Sequence, residues 1–118
     1  MSDLLILDPR PLRDLLDIGA GPELVQELIG LLKEDAPPRI ASVQAALASE
    51  DAATVIQEAH QLKGALGNLG LQKFAGLAAQ IEAHAREGCL DPARALAGLL
   101  PAAYEEALAA LQDAFPES

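Results

Sequence analysis

His60, Lys63 and Gly64 are the residues of this sequence whose types and spacing could carry out chemistry. A neutral imidazole is a nucleophile, and a lysine three residues further along a helix lies one turn away on the same side. Its ammonium could therefore pair with an anion attached to the ring. Interior glycines cost a helix about 1 kcal/mol each relative to alanine, so Gly64 and Gly67 indicate a surface kept clear for close approach. This combination suits the receipt and transfer of a phosphoryl group.

These residues require a helix over about residues 51–70 that turns His60 away from the core. At about 100° per residue, one side of that helix is an apolar stripe that must be the core contact. The stripe consists of Val55, Leu62, Leu66 and Leu69. The opposite face carries His60 together with Ala53, Ile56, Gln57, Lys63, Gly64 and Gly67. We therefore expect His60 to point into solvent.

Two helices are predicted before this one. Asp8 and the proline after it are a typical helix start, and Gly19 and Gly21 end this short first helix. Pro22 opens a second helix with apolar residues at helical spacing. Pro37 and Pro38 are expected to kink or briefly break it, because proline removes a backbone donor and clashes with the preceding turn.

The segments after the His60 helix are also predicted to be helical. A supporting helix covers about residues 71–88, and Asp91-Pro92 opens a fifth segment that bends at Pro101 and ends by Pro116. No alternation of period two is long enough for a strand. Since the connections are short, successive helices should lie antiparallel. We predict an all-α fold, an up-down antiparallel four-helix bundle with a short extra N-terminal helix.

The composition favours one helical domain over residues 1–118 and excludes several function classes. Alanine and leucine prevail, and both lose little side-chain entropy in helices. A net charge of −10 argues against nucleic-acid or anionic-membrane binding, since both need clustered Lys and Arg. No signal peptide and no uninterrupted apolar run of about 18 residues is present. We expect a soluble, cytoplasmic monomer, and Met1 with the compact length favours a free-standing protein.

A short motif in the third and fourth predicted helices resembles a known signature. It comprises Ala59-His60-Gln61-Leu62-Lys63-Gly64, then Leu69-Gly70, and then Phe74, Leu77 and Ile81. The pattern is similar to that of histidine-containing phosphotransfer (HPt) domains. The resemblance implies a phosphocarrier in a His–Asp phosphorelay of two-component signalling. Such a carrier accepts a phosphoryl group from a receiver aspartate or a kinase and passes it to another receiver.

The resemblance also implies a role for each matching residue. His60 would be the phosphoacceptor, attacking through Nε2, while Lys63 would neutralise phosphoryl oxygens and Gly64 would leave room for them. Many family members place a glutamine or glutamate 22 residues after the histidine to hydrogen-bond Nδ1, and here that residue is Glu82. Gln80 is a nearby substitute if the register differs.

The partners implied by the resemblance are a response-regulator receiver domain and a sensor histidine kinase. Ile56, Gln57, Gln61 and Gly67 are candidate docking residues on the His60 side, although Ile56 could equally be peripheral core. The carrier would not be an enzyme by itself and would hold no cofactor, because Mg²⁺ is expected on the receiver.

Two alternatives belong to other function classes. A helical adaptor that binds a receiver or kinase without being phosphorylated would not need His60, Lys63 and Gly64 together. A di-iron bundle needs Glu-x-x-His pairs that project inward, but position 57 is Gln and position 81, three before His84, is Ile. We expect no metal site.

Overall fold

A computed structural model describes residues 4–19 and 21–116, and over these residues the chain is helical without a strand. Six helices follow one another: α1 (Arg10–Asp17), α2 (Pro22–Ala48), α3 (Ala52–Asn68), α4 (Gln72–Arg86), α5 (Leu90–Ala97) and α6 (Leu100–Ala114). The all-α prediction is confirmed. Helix α3 packs mainly on α4 and then on α2, while α6 packs on α2 and α4. Within the described residues, no helix is long and apolar enough to cross a membrane.

Helix α2 runs without interruption through Pro37 and Pro38, so of the predicted kink or brief break, the break does not occur. Both prolines are exposed, whereas Leu32, Ala36 and Ile40 on the other side of the helix are buried. Their spacing of four residues keeps one apolar stripe in register across the prolines. Burial of that stripe outweighs the lost backbone hydrogen bonds, because tertiary packing supplies most of the stability of a helix.

Helix α3 is held at its start by a side-chain cap. The Asp51 carboxylate accepts hydrogen bonds from the Thr54 backbone N–H at 3.2 Å and from the Thr54 hydroxyl at 2.6 Å. These bonds satisfy one of the N–H groups that a helix start leaves unpaired. The four residues of the predicted core stripe, Val55, Leu62, Leu66 and Leu69, are all buried, which confirms the predicted orientation of the helix.

The segment that was predicted to start at Asp91-Pro92 starts at Leu90 and forms two helices instead of one bent helix. Helix α5 ends at Ala97 and α6 begins at Leu100, so the break falls at Gly98 and Leu99 and not at Pro101. Pro101 lies in the first turn of α6. Its missing N–H needs no partner there, and its fixed φ suits the first turn, so the proline begins a helix and does not bend one.

The chain before α1 is fastened to the start of α4. The Lys73 N–H donates to the Leu5 carbonyl at 2.8 Å, and the Asp8 N–H donates to the Gly70 carbonyl at 2.7 Å. Gly70 has a φ of +80°, and a Cβ at this position would lie 2.1 Å from the Asp8 carbonyl oxygen. The glycine that ends the His60 segment is therefore required by backbone conformation and by the close approach of residue 8.

Candidate functional site

His60 projects from α3 with its side chain 60% exposed, as the helical phase predicts. Its Nδ1 lies 3.1 Å from Oε2 and 3.4 Å from Oε1 of Glu82 on the neighbouring helix α4. An ionised carboxylate can only accept, so the Nδ1 atom must carry the hydrogen of this bond. In a neutral imidazole this leaves the lone pair on Nε2. The exposed ring therefore presents its nucleophilic nitrogen away from Glu82.

Glu82 is the buried charge on which the site is built, with only 5% of the residue exposed. Burial alone would raise its pKa, but hydrogen bonds from Lys63, Arg86 and His60 outweigh this effect and lower the pKa to about 2. The carboxylate is therefore ionised at neutral pH. A buried carboxylate is tolerated here because cations and hydrogen-bond donors surround it.

The two oxygens of Glu82 have different partners. The Lys63 ammonium lies 2.9 Å from Oε1, so it reaches across from α3 to α4. The Arg86 guanidinium donates to Oε2 from Nη2 at 2.8 Å and from Nε at 3.0 Å. Lys63 was expected to lie beside His60 as a free partner for an anion, but the structure shows it paired with Glu82.

Arg86 is the residue of this cluster that the sequence analysis missed. Glu82 and Arg86 are four residues apart on α4, a spacing at which opposite charges commonly pair on a helix surface. That spacing was the available signal. It does not show that the same carboxylate also contacts a histidine and a lysine on another helix, because this depends on how α3 and α4 pack.

Gly64 and Gly67 lie on the exposed side of α3 with open space around them. A Cβ built on either residue would meet no heavy atom within 4 Å. No packing within the described structure therefore requires glycine at these two positions. Their helix-propensity cost is unexplained unless another molecule approaches this surface.

The other predicted site residues do not all lie on the exposed surface around His60. Gln57 and Gln61 are exposed on α3, whereas Ile56 is half-buried and packs against the core. Gln80 lines a groove with Leu77 and Leu99, on the side of α4 turned away from His60. The structure therefore places Glu82, and not Gln80, against the ring.

Comparison with known families identifies the family of the chain. A family model described as Hpt domain matches residues 27–114, which include α3 and α4 and hence His60 and Glu82. The chain belongs to the HPt family. No curated protein sequence matches it significantly.

A solved structure is also similar to this HPt chain. It is described as the crystal structure of histidine-containing phosphotransfer protein B (HptB) from Pseudomonas aeruginosa PAO1, with a TM-score of 0.78 and 28% sequence identity over 92% of each chain. Family membership and this likeness together support a carrier that transfers phosphoryl groups on histidine within a phosphorelay.

The second histidine and the cysteine of this HPt chain lie away from the cluster. His84 is half-buried further along α4, and Cys89 is exposed after the end of that helix. Among residues 4–19 and 21–116, no group of three or more His, Cys, Asp or Glu is arranged to hold a metal ion.

Proposed function

We propose that His60 is the phosphoacceptor of a His–Asp phosphorelay, loaded by a receiver aspartyl phosphate or a kinase and unloaded onto another receiver. The observation that carries this proposal is the exposed imidazole whose Nδ1 is engaged by the buried carboxylate of Glu82. This contact selects the tautomer in which Nε2 is the nucleophile.

The proposed transfer needs no proton to leave the ring. The Nε2 lone pair attacks phosphorus, an N–P bond forms, and the P–O bond to the receiver aspartate breaks with its electron pair on the departing carboxylate. The ring then carries a positive charge that the Glu82 carboxylate stabilises through the Nδ1–H. In the reverse direction a receiver carboxylate attacks phosphorus and the electron pair returns to Nε2. In both directions the hydrogen stays on Nδ1, where Glu82 accepts it.

The proposed partner is a receiver domain that docks over the exposed side of α3. Gly64 and Gly67 present no side chain beside His60, the exposed Gln57 and Gln61 would offer hydrogen bonds, and the exposed part of Ile56 would add an apolar contact. A groove of about 270 Å³ adjoins this surface between α2 and α3 and is lined mainly by apolar residues. The carrier would supply the nucleophile, while the receiver would supply Mg²⁺ and the aspartate.

The proposed carrier has the architecture expected of its family. We infer that α2, α3, α4 and α6 form the up-down antiparallel bundle, since the turns from α2 to α3 and from α3 to α4 are each only three residues long. Helix α1 is the short extra helix. We also infer one domain over residues 1–118, of which residues 1–3, 20 and 117–118 lie outside the described part. We expect this domain to act in the cytoplasm as a monomer.

The test is phosphotransfer from a receiver domain labelled with radioactive phosphate. The wild-type chain should take up label that is labile in acid and stable in base, as a phosphohistidine is, and His60→Gln should abolish it. The chain contains only two histidines, so His84→Gln is the matched control and should be labelled like the wild type. Label that persists in His60→Gln would disprove the assignment. An adaptor would bind the receiver but never become labelled.

A further inference from the structure

The two oxygens of the Glu82 carboxylate have different partners, and the proposed transfer would change this pairing. One carboxylate oxygen, Oε1, holds the Lys63 ammonium at 2.9 Å. The other, Oε2, is 3.1 Å from His60 Nδ1 and accepts two hydrogen bonds from Arg86. Lys63 lies on the same helix as the phosphoacceptor, whereas Arg86 lies on the same helix as Glu82.

We propose that Arg86 is a positioning residue that keeps the Glu82 carboxylate beneath His60 while Lys63 leaves it for the transferring phosphoryl group. This inference rests on the proposed phosphotransfer at His60. It assigns to Arg86 a function that neither the helix spacing nor the surface position of the residue indicates.

Lys63 holds its ammonium 2.9 Å from Oε1 in this structure. Its flexible four-carbon stem and three rotatable donors allow the ammonium to turn toward another anion. A phosphoryl group on Nε2 would lie on the opposite side of the ring from Glu82. When Lys63 turns toward that group, the carboxylate loses one of its two formal cations while remaining buried.

Arg86 is suited to hold Glu82 through this exchange. Its Nε and Nη2 both donate to the same oxygen, which fixes the carboxylate in direction as well as in distance. Because the two residues are one turn apart on α4, their pairing does not depend on α3. The oxygen that Arg86 holds is also the one nearer to His60 Nδ1, so its position determines where the imidazole proton points.

Two measurements test this proposal with Arg86→Ala, Arg86→Lys and a control. Lys73→Ala is the control, because it removes a cation of an exposed ion pair with Glu106 on the far side of the same helix. Mutation of the outer partners of metal-bound histidines typically costs 10–100-fold in affinity or activity, and by analogy we expect Arg86→Ala to slow transfer by about tenfold. Arg86→Lys should recover part of this rate, and Lys73→Ala should leave it unchanged.

The first measurement is the initial rate of transfer from a phosphorylated receiver in two backgrounds. If Arg86 acts through Glu82, Arg86→Ala should have little further effect in a Glu82→Gln chain, because no carboxylate remains to be held. Equal losses in both backgrounds would overturn the proposal, since Arg86 would then be acting on the receiver or the phosphoryl group directly. A wild-type rate for Arg86→Ala would overturn it as well.

The second measurement is the ring tautomer of His60 by ¹⁵N NMR, which a purely structural role would not change. Wild type should show the Nδ1–H form, and Arg86→Ala should show an increased share of the Nε2–H form. An unchanged tautomer in Arg86→Ala would contradict the proposal. If the wild-type chain is labelled on His60 but Arg86→Ala behaves like wild type, only this inference fails. If the wild type takes up no label, the proposed function fails with it.

Discussion

At the scale of single residues, the site depends on one buried carboxylate and its cations. A glutamine in place of Glu82 would be neutral and would need no counter-charge. Glu82 is buried and ionised, so it needs Lys63 and Arg86 to remain so. The carboxylate and its cations therefore form one unit, and a change to any member should affect the others.

The lowered pKa of Glu82 should appear as stability that is lost in acid. Hydrogen bonds from Lys63, Arg86 and His60 overcome burial and lower the pKa from 4.5 to about 2. A group whose pKa is lowered by folding stabilises the fold above its unfolded pKa, and this stabilisation disappears as the pH falls toward the folded pKa. We expect Glu82→Gln to unfold with a flatter dependence of Tm on pH between 4.5 and about 2.

Thermal unfolding followed by circular dichroism at several pH values measures this effect. Wild type should lose several degrees more than Glu82→Gln across the acid window. Asp8 contributes in a similar window, since hydrogen bonds from Arg10 lower its pKa to about 2. Some acid sensitivity should therefore survive in Glu82→Gln. Parallel curves for the two chains would show that Glu82 gains no stabilisation from its partners.

At the scale of helices and turns, Gly70 connects the N-terminal segment to the site. Its carbonyl accepts the Asp8 N–H, and its lack of a Cβ lets the Asp8 carbonyl approach. Gly88 adopts a similar φ of +76° after α4, but a Cβ there would meet no atom within 4 Å. A comparison of alanine substitutions at the two glycines therefore distinguishes the free-energy cost of the left-handed backbone conformation from that of a steric clash.

We predict different stability losses for Gly70→Ala and Gly88→Ala. The left-handed conformation alone should cost Gly88→Ala about 1 kcal/mol of unfolding free energy. Gly70→Ala should cost about 3 kcal/mol, because the new Cβ also displaces the Asp8 carbonyl and weakens its contact with the start of α4. Urea unfolding at neutral pH measures both values. Equal losses would mean that the N-terminal segment moves aside freely.

The same elements show what the sequence could and could not predict. The core stripe of α3 and the outward position of His60 follow from helical periodicity, which needs only local geometry. Arg86 was missed because its importance arises from the packing of α3 on α4. The uninterrupted path of α2 through Pro37 and Pro38 was missed for a related reason, since burial on one face overrode a local preference against helix.

At the scale of the whole molecule, the acidity is unevenly distributed. The chain carries a net charge of −10, but residues 52–81 contain only one acid, Glu58, against Lys63 and Lys73. This window includes all of α3, so the helix that carries His60 is less acidic than the rest of the chain. A receiver site rich in carboxylates would be repelled less by the surface of this helix than by one that carried the average charge of the chain.

The position of an added charge should therefore matter more than its presence. Gln57 is exposed on the His60 side of α3, and Gln112 is exposed on α6, which packs on α2 and α4. Gln57→Glu and Gln112→Glu each add one negative charge without changing the shape of the side chain. We expect Gln57→Glu to slow association with a receiver about threefold at low salt, because repulsion acts within roughly 10 Å at 0.1 M salt. The association rate of Gln112→Glu should stay close to that of the wild type.

Stopped-flow association rates over a range of salt concentrations measure both variants, and the difference between them should shrink as the salt concentration rises. Equal slowing by the two substitutions would show that total charge, and not the neutral surface around His60, controls the encounter.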